Sequence, residues 1–355
     1  MNYKCQKCGK VQSVHTYKAN CDCTGLWQLD FTPQKFDLKL IDNKEWNIFR
    51  YKAFMPVKNY ITLGEGMTPI IKFDNDLRLK MDYFMPTLSF KDRGAAVLIS
   101  HCKEIGVQKV VQDSSGNAGN SIAAYAAKAG VECEIYVPSG TSPKKIDMIK
   151  AHGAKCHIIE GSRDNCAEVC RQRVINDGVY YANHVYNPYF YEGTKTYIYE
   201  VYEQLGRIPE NIWVPVGNGT LVFGVIKGLE HLYNSNIIDK MPQIYLVQSE
   251  FCAPIYDEFN NKTSEIKETL AEGIAIGKPM RKNEILNIAQ KYNIKIVKAP
   301  ENKILYARDR LAKQGIYCEH TTAATYAAYL VYIEKHGQLT DNLIPMCGAG
   351  LKSDH

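Results

Sequence analysis

No stretch of about 18 consecutive apolar residues occurs, so nothing in the sequence reads as a transmembrane helix. The first residues, Met1-Asn2-Tyr3-Lys4-Cys5, lack the apolar core of an export signal. No block of Lys and Arg stands out, and a formal charge of +5 is small for 355 residues, which argues against nucleic-acid binding as the main activity. No His, Asp and Ser set at familiar spacing suggests a hydrolase. No Gly-Lys-Ser/Thr follows a glycine-rich turn, which excludes a Walker-type loop. Internal repeats and low-complexity tracts are also missing. What remains is an ordinary globular composition, 45% hydrophobic and 23% charged, long enough for two domains and an accessory piece.

Cysteine is the exception to this plainness. Of twelve, four fall in the first 23 residues (Cys5, Cys8, Cys21, Cys23) and the rest are scattered singly. Scattered cysteines in a chain without an export signal suggest free thiols in a reducing cytosol, so the expectation is a cytoplasmic enzyme. Residues 1–30 form a Cys-rich head in which four thiolates can hold one tetrahedral zinc and replace a core too small to bury. The second pair, Cys21-x-Cys23, is one residue tighter than the usual knuckle. A ribbon that has lost its metal would carry the same pattern.

Downstream the pattern is α/β. A helix from Gly94 to Gly106 leads to a strand at Lys109-Val110-Val111, and further strands follow at Cys133–Pro138 and Lys155–Ile159. The same alternation resumes after 190, with a helix at Thr196–Leu205 and strands at Ile212–Val216, Ile244–Val247 and Ile294–Val297. Buried apolar strands alternating with helices predict doubly wound, mostly parallel sheets. The expected division is a ribbon at 1–30, a small α/β domain at 93–190, and a large domain from 31–92 and 191–355.

Two segments carry most of the chemistry. In Ser89-Phe90-Lys91-Asp92-Arg93-Gly94, Lys91 lies between an aromatic and an Asp-Arg pair. Most lysines are solvated surface charges, but one in a packed setting loses proton affinity and can form an imine with a carbonyl. Ser114-Ser115-Gly116-Asn117 opens an alanine-rich helix, where backbone N–H groups can hold a carboxylate. An imine-forming lysine beside a carboxylate-holding loop suggests amino-acid chemistry on pyridoxal phosphate. Gly217-Asn218-Gly219-Thr220, after an apolar strand, is either a phosphate cradle or an ordinary strand-to-helix turn. Asn117 can be a simple helix cap and Cys347 a buried structural thiol. Glu272 is an acid in a small apolar loop, Ala271–Ala275.

In order along the chain, these segments resemble the threonine synthase branch of the fold-type II pyridoxal phosphate enzymes. Leu63-Gly64-Glu65-Gly66-Met67-Thr68-Pro69 is similar to that family's Gly-Glu-Gly-x-Thr-Pro signature, and Ser89–Gly94 to its cofactor-lysine motif. Ser114–Asn117, Pro215–Gly219, Ala271–Ala275 and Cys347–Lys352 are similar to its later motifs, with Cys347 where Ser or Thr is more usual. The resemblance implies two doubly wound domains, a homodimer, an amino-acid substrate, and pyridoxal 5'-phosphate held covalently by Lys91. Asn117 would bond the ring hydroxyl, Gly217, Asn218, Gly219 and Thr220 would cradle the phosphate, and Cys347 would face the ring nitrogen. Ser114, Ser115, Gly116 and Ala118 would fix the substrate carboxylate and so select which bond breaks. Released Lys91 would move protons between Cα, Cβ and Cγ. The implied reaction is γ-elimination of phosphate from O-phosphohomoserine and hydration at Cβ to give threonine.

The chain departs from the family where that phosphate should sit. Met85-Pro86-Thr87-Leu88 replaces the usual Asn-Pro-Thr-Gly, and Phe190 stands in Asn183–Phe190 where an arginine is usual. An aromatic ring cannot replace a bidentate anion partner. The substrate side is therefore expected to be more apolar, with Phe190→Arg restoring anion binding unless His184 or Lys195 compensates. The departure favours a related β-elimination or β-replacement enzyme on another amino acid, such as a dehydratase, an ammonia-lyase or a cysteate or cysteine synthase. A non-catalytic binding protein on the same fold is disfavoured by the retention of Lys91 and Asn117. The Cys-rich head is expected to be dispensable for chemistry, since every cofactor motif lies after residue 59.

Overall fold

The computed structural model describes residues 1–353. Residues 1–65 and 91–194 form one compact unit, and residues 66–90 with those from 195 onward form a second. Residues 31–65, which the sequence reading joins to the large domain, cluster with the first unit. Their aromatic residues pair among themselves, with Phe36 on Phe54 at 4.8 Å and Phe49 on Tyr60 at 4.6 Å.

The chain opens with an antiparallel ribbon in which β1 (Asn2–Cys5) lies between β2 (Val11–Ser13) and β3 (Trp27–Asp30). The sulfurs of Cys5, Cys8, Cys21 and Cys23 all lie within 4.8 Å of one another, with Cys5–Cys23 at 3.5 Å and Cys8–Cys21 at 3.7 Å. Tetrahedral zinc with Zn–S near 2.3 Å separates its sulfurs by about 3.8 Å, so the set fits this ion. The tight Cys21-x-Cys23 spacing is no obstacle. The Thr24 N–H donates to the Cys21 carbonyl (2.8 Å), closing a turn that brings both thiols in. Gly25 permits the approach, because a Cβ there would meet the Cys5 Sγ at 2.5 Å.

β4 (Ile70–Lys72) and β5 (Leu77–Lys80) come next and belong to the second unit. The first unit resumes with α1 (Lys91–Glu104), β6 (Lys109–Gln112), α2 (Asn117–Ala129), β7 (Glu132–Pro138) and α3 (Pro143–Ala151). It closes with β8 (Lys155–Ile159), α4 (Arg163–Asp177), β9 (Tyr180–Tyr181) and α5 (Pro188–Thr194). The four strands pair in parallel in the order β8-β7-β6-β9. The ribbon packs on this body. Tyr3 stacks on Trp27 (5.9 Å) and meets Tyr189 edge-on (6.2 Å), while His101 lies flat on Tyr189 at 3.7 Å. Burial drives the His101 imidazole down to about 3, so this cluster is held by aromatic contact and not by charge.

The second unit continues with α6 (Thr196–Leu205), β10 (Asn211–Pro215), α7 (Thr220–Asn234), β11 (Gln243–Ser249), α8 (Pro254–Phe259) and α9 (Lys282–Lys291). β12 (Lys295–Ala299), α10 (Glu301–Ala312), α11 (His320–His336), β13 (Asn342–Pro345) and α12 (Gly350–Ser353) complete it. Its six strands run β12-β11-β10-β13-β5-β4, all parallel except β4 against β5. Trp213 of β10 lies flat on Tyr245 of β11 at 4.0 Å. The ion pair Lys80–Glu200 (2.7 Å), wholly buried, ties β5 to α6. Among the described residues no helix is long and apolar enough to cross a membrane.

Two outcomes follow from this packing. Replacing Cys5 and Cys8 with Ser should remove bound zinc, measured by elemental analysis, and lower the thermal midpoint, because the ribbon's fold holds Tyr3 and Trp27 in place. Stoichiometric zinc in that double variant would contradict the four-thiol site. The second outcome concerns Glu65, which accepts hydrogen bonds from Leu63 N–H (2.9 Å), Thr62 Oγ1 (3.0 Å) and Tyr125 OH (2.8 Å), all on one oxygen. Its Oε1 is buried without a partner, and burial raises the carboxyl from 4.5 to about 7. A raised folded-state value means that the folded protein binds the proton more tightly. The stability it contributes is full below pH 4.5 and is lost as pH rises through about 7. Glu65→Gln should therefore flatten the pH dependence of the urea midpoint across that window, and an unchanged slope would count against it.

Candidate active site

The candidate residues divide between the units, Lys91 and Ser114–Ala118 in the first, Gly217–Thr220 and Cys347 in the second. Lys91 is the first residue of α1. Its helix is fixed by close approach to α5. A Cβ on Gly94 would meet the Phe190 ring at 2.2 Å, and one on Gly193 would meet the Arg93 carbonyl oxygen at 1.9 Å. Phe190 is fully buried, and its ring centroid lies 5.9 Å from the Lys91 Nζ. The lysine thus has an aromatic wall on one side. Asp92 accepts from Ser121 Oγ at 2.6 Å, which ties α1 to α2.

Between β6 and α2 run Asp113, Ser114, Ser115 and Gly116. The loop folds back tightly on its helix, since a Cβ on Gly119 would meet the Ser114 carbonyl oxygen at 1.8 Å. Asn117 begins the 13-residue α2, with Gly116 extended before it. Ser114 to Asn117 are half-buried and Ala118 is buried. A first turn like this carries N–H groups that the helix cannot satisfy, and the helix dipole favours an anion there.

The sequence gives no signal for Asp113, yet it organises the neighbouring segment. Its Oδ1 accepts from Tyr181 OH and Asn183 Nδ2, both at 2.6 Å. Asn183 Oδ1 in turn accepts from Val185 N–H (2.8 Å). Asn187 donates to Tyr180 OH (2.5 Å) and accepts from Tyr189 N–H (3.0 Å). Both asparagines are therefore engaged in building the chain. His184, between them, is 8% exposed and its Nδ1 is buried without a partner. Its ring stands 5.8 Å from that of Phe190.

In the second unit β10 leads through Val216 into Gly217-Asn218-Gly219 and α7. Gly219 has φ +85°, and a Cβ there would meet Phe223 at 2.8 Å and Ile285 at 2.9 Å. A Cβ on Gly217 would meet Ile276 at 2.9 Å. Backbone bared in this way at the start of a 15-residue helix is a fit for the phosphate of pyridoxal phosphate. Cys347 is buried just past β13. Its N–H donates to Thr322 Oγ1 (3.1 Å) and its carbonyl accepts from Phe90 N–H (2.9 Å). The Glu319 carboxylate, not marked by the sequence, lies where a Cβ on Gly348 would stand, 2.2 Å away.

Several expectations change. Glu272 is exposed in a 3-10 turn and does not sit in an apolar enclosure. Leu88, where glycine is usual, keeps the left-handed backbone that glycine would favour (φ +61°), and its side chain is 42% exposed. Lys195 is buried at the N-cap of α6 in the second unit. Phe190 is fully buried. It is a core residue beneath Lys91, so an arginine there would be buried beside another cation.

Comparison with known proteins gives a consistent result. The sequence model of the pyridoxal-phosphate dependent enzymes matches residues 61–348, and that of a zinc finger domain of DNA polymerase-epsilon matches residues 2–42. The chain is 30% identical to the threonine synthase of Methanocaldococcus jannaschii over 94% of its own length and 88% of that protein's. It is 32% identical to the threonine synthase of Halalkalibacterium halodurans, over 85% and 88% respectively. The crystal structure of an O-ureido-L-serine synthase superposes with a TM-score of 0.71 at 20% identity, covering 84% of this chain and 94% of that one.

Phe190→Arg should destabilise the protein by about 3–5 kcal/mol, the scale of an uncompensated buried charge, and should not improve binding of a phosphorylated amino acid. Urea denaturation and equilibrium binding check the two parts. A stable variant with tighter phosphate binding would restore the expectation drawn from sequence.

Proposed function

The chain belongs to the pyridoxal-phosphate dependent enzymes, on their threonine synthase-like branch, and from that premise we propose that it is a lyase acting on an amino acid by β-elimination or β-replacement. The observation that carries this reading is Phe190, buried against Gly94 beside Lys91 where the branch usually has a phosphate-holding arginine. Bound pyridoxal phosphate supplies an electron sink for the bonds at Cα. Lys91 would hold that group, and its Nζ would take the Cα proton. Ser114, Ser115, Gly116 and Ala118 hold the substrate carboxylate and set which Cα bond is aligned for cleavage. The Cβ substituent leaves with its bonding electrons, taking up a proton where it needs one. Asn117 would bond the ring hydroxyl, Gly217, Asn218, Gly219 and Thr220 would hold the phosphate, and Cys347 would face the ring nitrogen. A thiol at this position, unlike a carboxylate, would offer that nitrogen no fixed negative charge.

A second reading, conversion of O-phosphohomoserine to threonine, is favoured by the threonine synthases that match most of this chain's length. One sample decides between them. The purified holoenzyme is assayed with serine, threonine, phosphoserine and O-phosphohomoserine, scoring keto acid, phosphate and threonine. Keto acid from a hydroxyl amino acid is the expected outcome. Efficient release of phosphate and threonine from O-phosphohomoserine would establish the second reading instead. Borohydride reduction followed by peptide mapping should place the cofactor on Lys91, and a label on another lysine would overturn the assignment.

A further inference from the structure

The segment from Asn183 to Phe190 shares the surroundings of Lys91, and its two asparagines are taken up in building the chain. The Asn183 amide donates to Asp113 and to Tyr181 OH (3.1 Å) and accepts from Val185, and the Asn187 amide is engaged with Tyr180 and Tyr189. Phe190 offers only a buried ring. His184 differs: its Nδ1 is buried and has no hydrogen-bond partner, while its ring and the Lys91 Nζ flank the same phenyl ring at 5.8 Å and 5.9 Å. A buried polar atom left unpaired costs about 1–3 kcal/mol, a cost that folded proteins bear where a ligand completes the bond. We infer that His184 selects the substrate's side chain, and that it selects an uncharged hydrogen-bonding substituent, such as a hydroxyl, over a phosphoryl group. This rests on the lyase reading above and names its substrate class.

The chemistry of the surroundings sets the preference. Burial, with the nearby charges of Lys91 and Arg163, holds the imidazole well below its ordinary range, so it is neutral at physiological pH. A neutral imidazole has one donor and one acceptor, and a hydroxyl, which both donates and accepts, pairs with either tautomer. A phosphate dianion needs a cationic partner within hydrogen-bonding reach, and residues 183–190 include no Lys or Arg. The Asp113 carboxylate, bonded to the residue before His184, adds charge of the wrong sign.

The holoenzyme's visible band reports amino-acid binding directly, so the test is a set of spectral titrations. L-serine and L-homoserine are compared with O-phospho-L-serine and O-phospho-L-homoserine, and with L-alanine as the control lacking any side-chain hydrogen bond. The hydroxyl amino acids should bind at least about ten-fold more tightly than their phosphorylated counterparts, the worth of one well-made bond. His184→Leu should remove about that factor for the hydroxyl ligands, leave L-alanine binding unchanged and keep the cofactor band. His184→Gln, which retains a donor and an acceptor, should recover most of it. Tighter binding of the phosphorylated ligands by the unmodified enzyme would overturn the inference, and that comparison needs no variant to fold. An equal loss for L-alanine and L-serine in His184→Leu would likewise assign His184 a structural role. A cofactor-loaded protein whose band responds to no amino acid would overturn the lyase reading itself, and this inference with it.

Discussion

Between α1 and α5 there is no room for two Cβ atoms. The Phe190 ring occupies the space above Gly94, and the Arg93 carbonyl occupies the space above Gly193. Because both contacts are backbone-close, the two helices have little freedom to slide, and this packing, with the Asp92–Ser121 hydrogen bond, positions the end of α1 that carries Lys91. The same contact gives the lysine its apolar neighbour. The aromatic residue at 190 therefore belongs first to the architecture.

Around that contact lies hydrogen-bonded polar structure, in which the His184 Nδ1 is one of the buried atoms left unpaired. Asp113, at the end of β6, gathers Tyr181 and Asn183, and these set the path of the chain into α5. The ribbon adds support from the other side through Tyr3, Trp27 and the flat stacking of His101 on Tyr189. The head is thus more than an appendage to the first unit, even though no candidate cofactor contact lies in it. In the second unit the candidate groups are mostly backbone: two glycines whose missing Cβ atoms let Phe223, Ile285 and Ile276 close in, and a cysteine held by its own N–H and carbonyl.

The alternation of strands and helices was legible because buried parallel strands are continuously apolar and their connections end in glycine and asparagine. The segments at Lys109, Cys133, Lys155, Ile212, Ile244 and Ile294 all lie in or beside strands of the two sheets. Short motifs were legible for a related reason: Gly217, Gly219 and Gly116 stand where a side chain would collide or where the backbone must open a helix. Other features left no local trace. Nothing in the order of residues 31–65 says which body they join, because that depends on distant partners, as where Ile61 N–H donates to Ser100 Oγ and Tyr125 OH donates to Glu65. Asp113 looks like a turn residue, and its two partners lie 68 and 70 residues away.

By itself, then, the sequence determined the family, the sheet class, the lysine at the head of α1 and the four-thiol head, since each is written in local spacing or in residue types with one dominant use. Tertiary structure decided what stands around that lysine. A phenylalanine in place of an arginine reads from sequence as a changed pocket wall. The fold makes it a core residue pressed on a glycine 96 positions earlier in the chain. His184 reads as a spare cation, whereas burial favours its neutral form and its Nδ1 has no partner. Charge and hydrogen-bonding capacity depend on which groups share a buried space, and only the folded chain settles that.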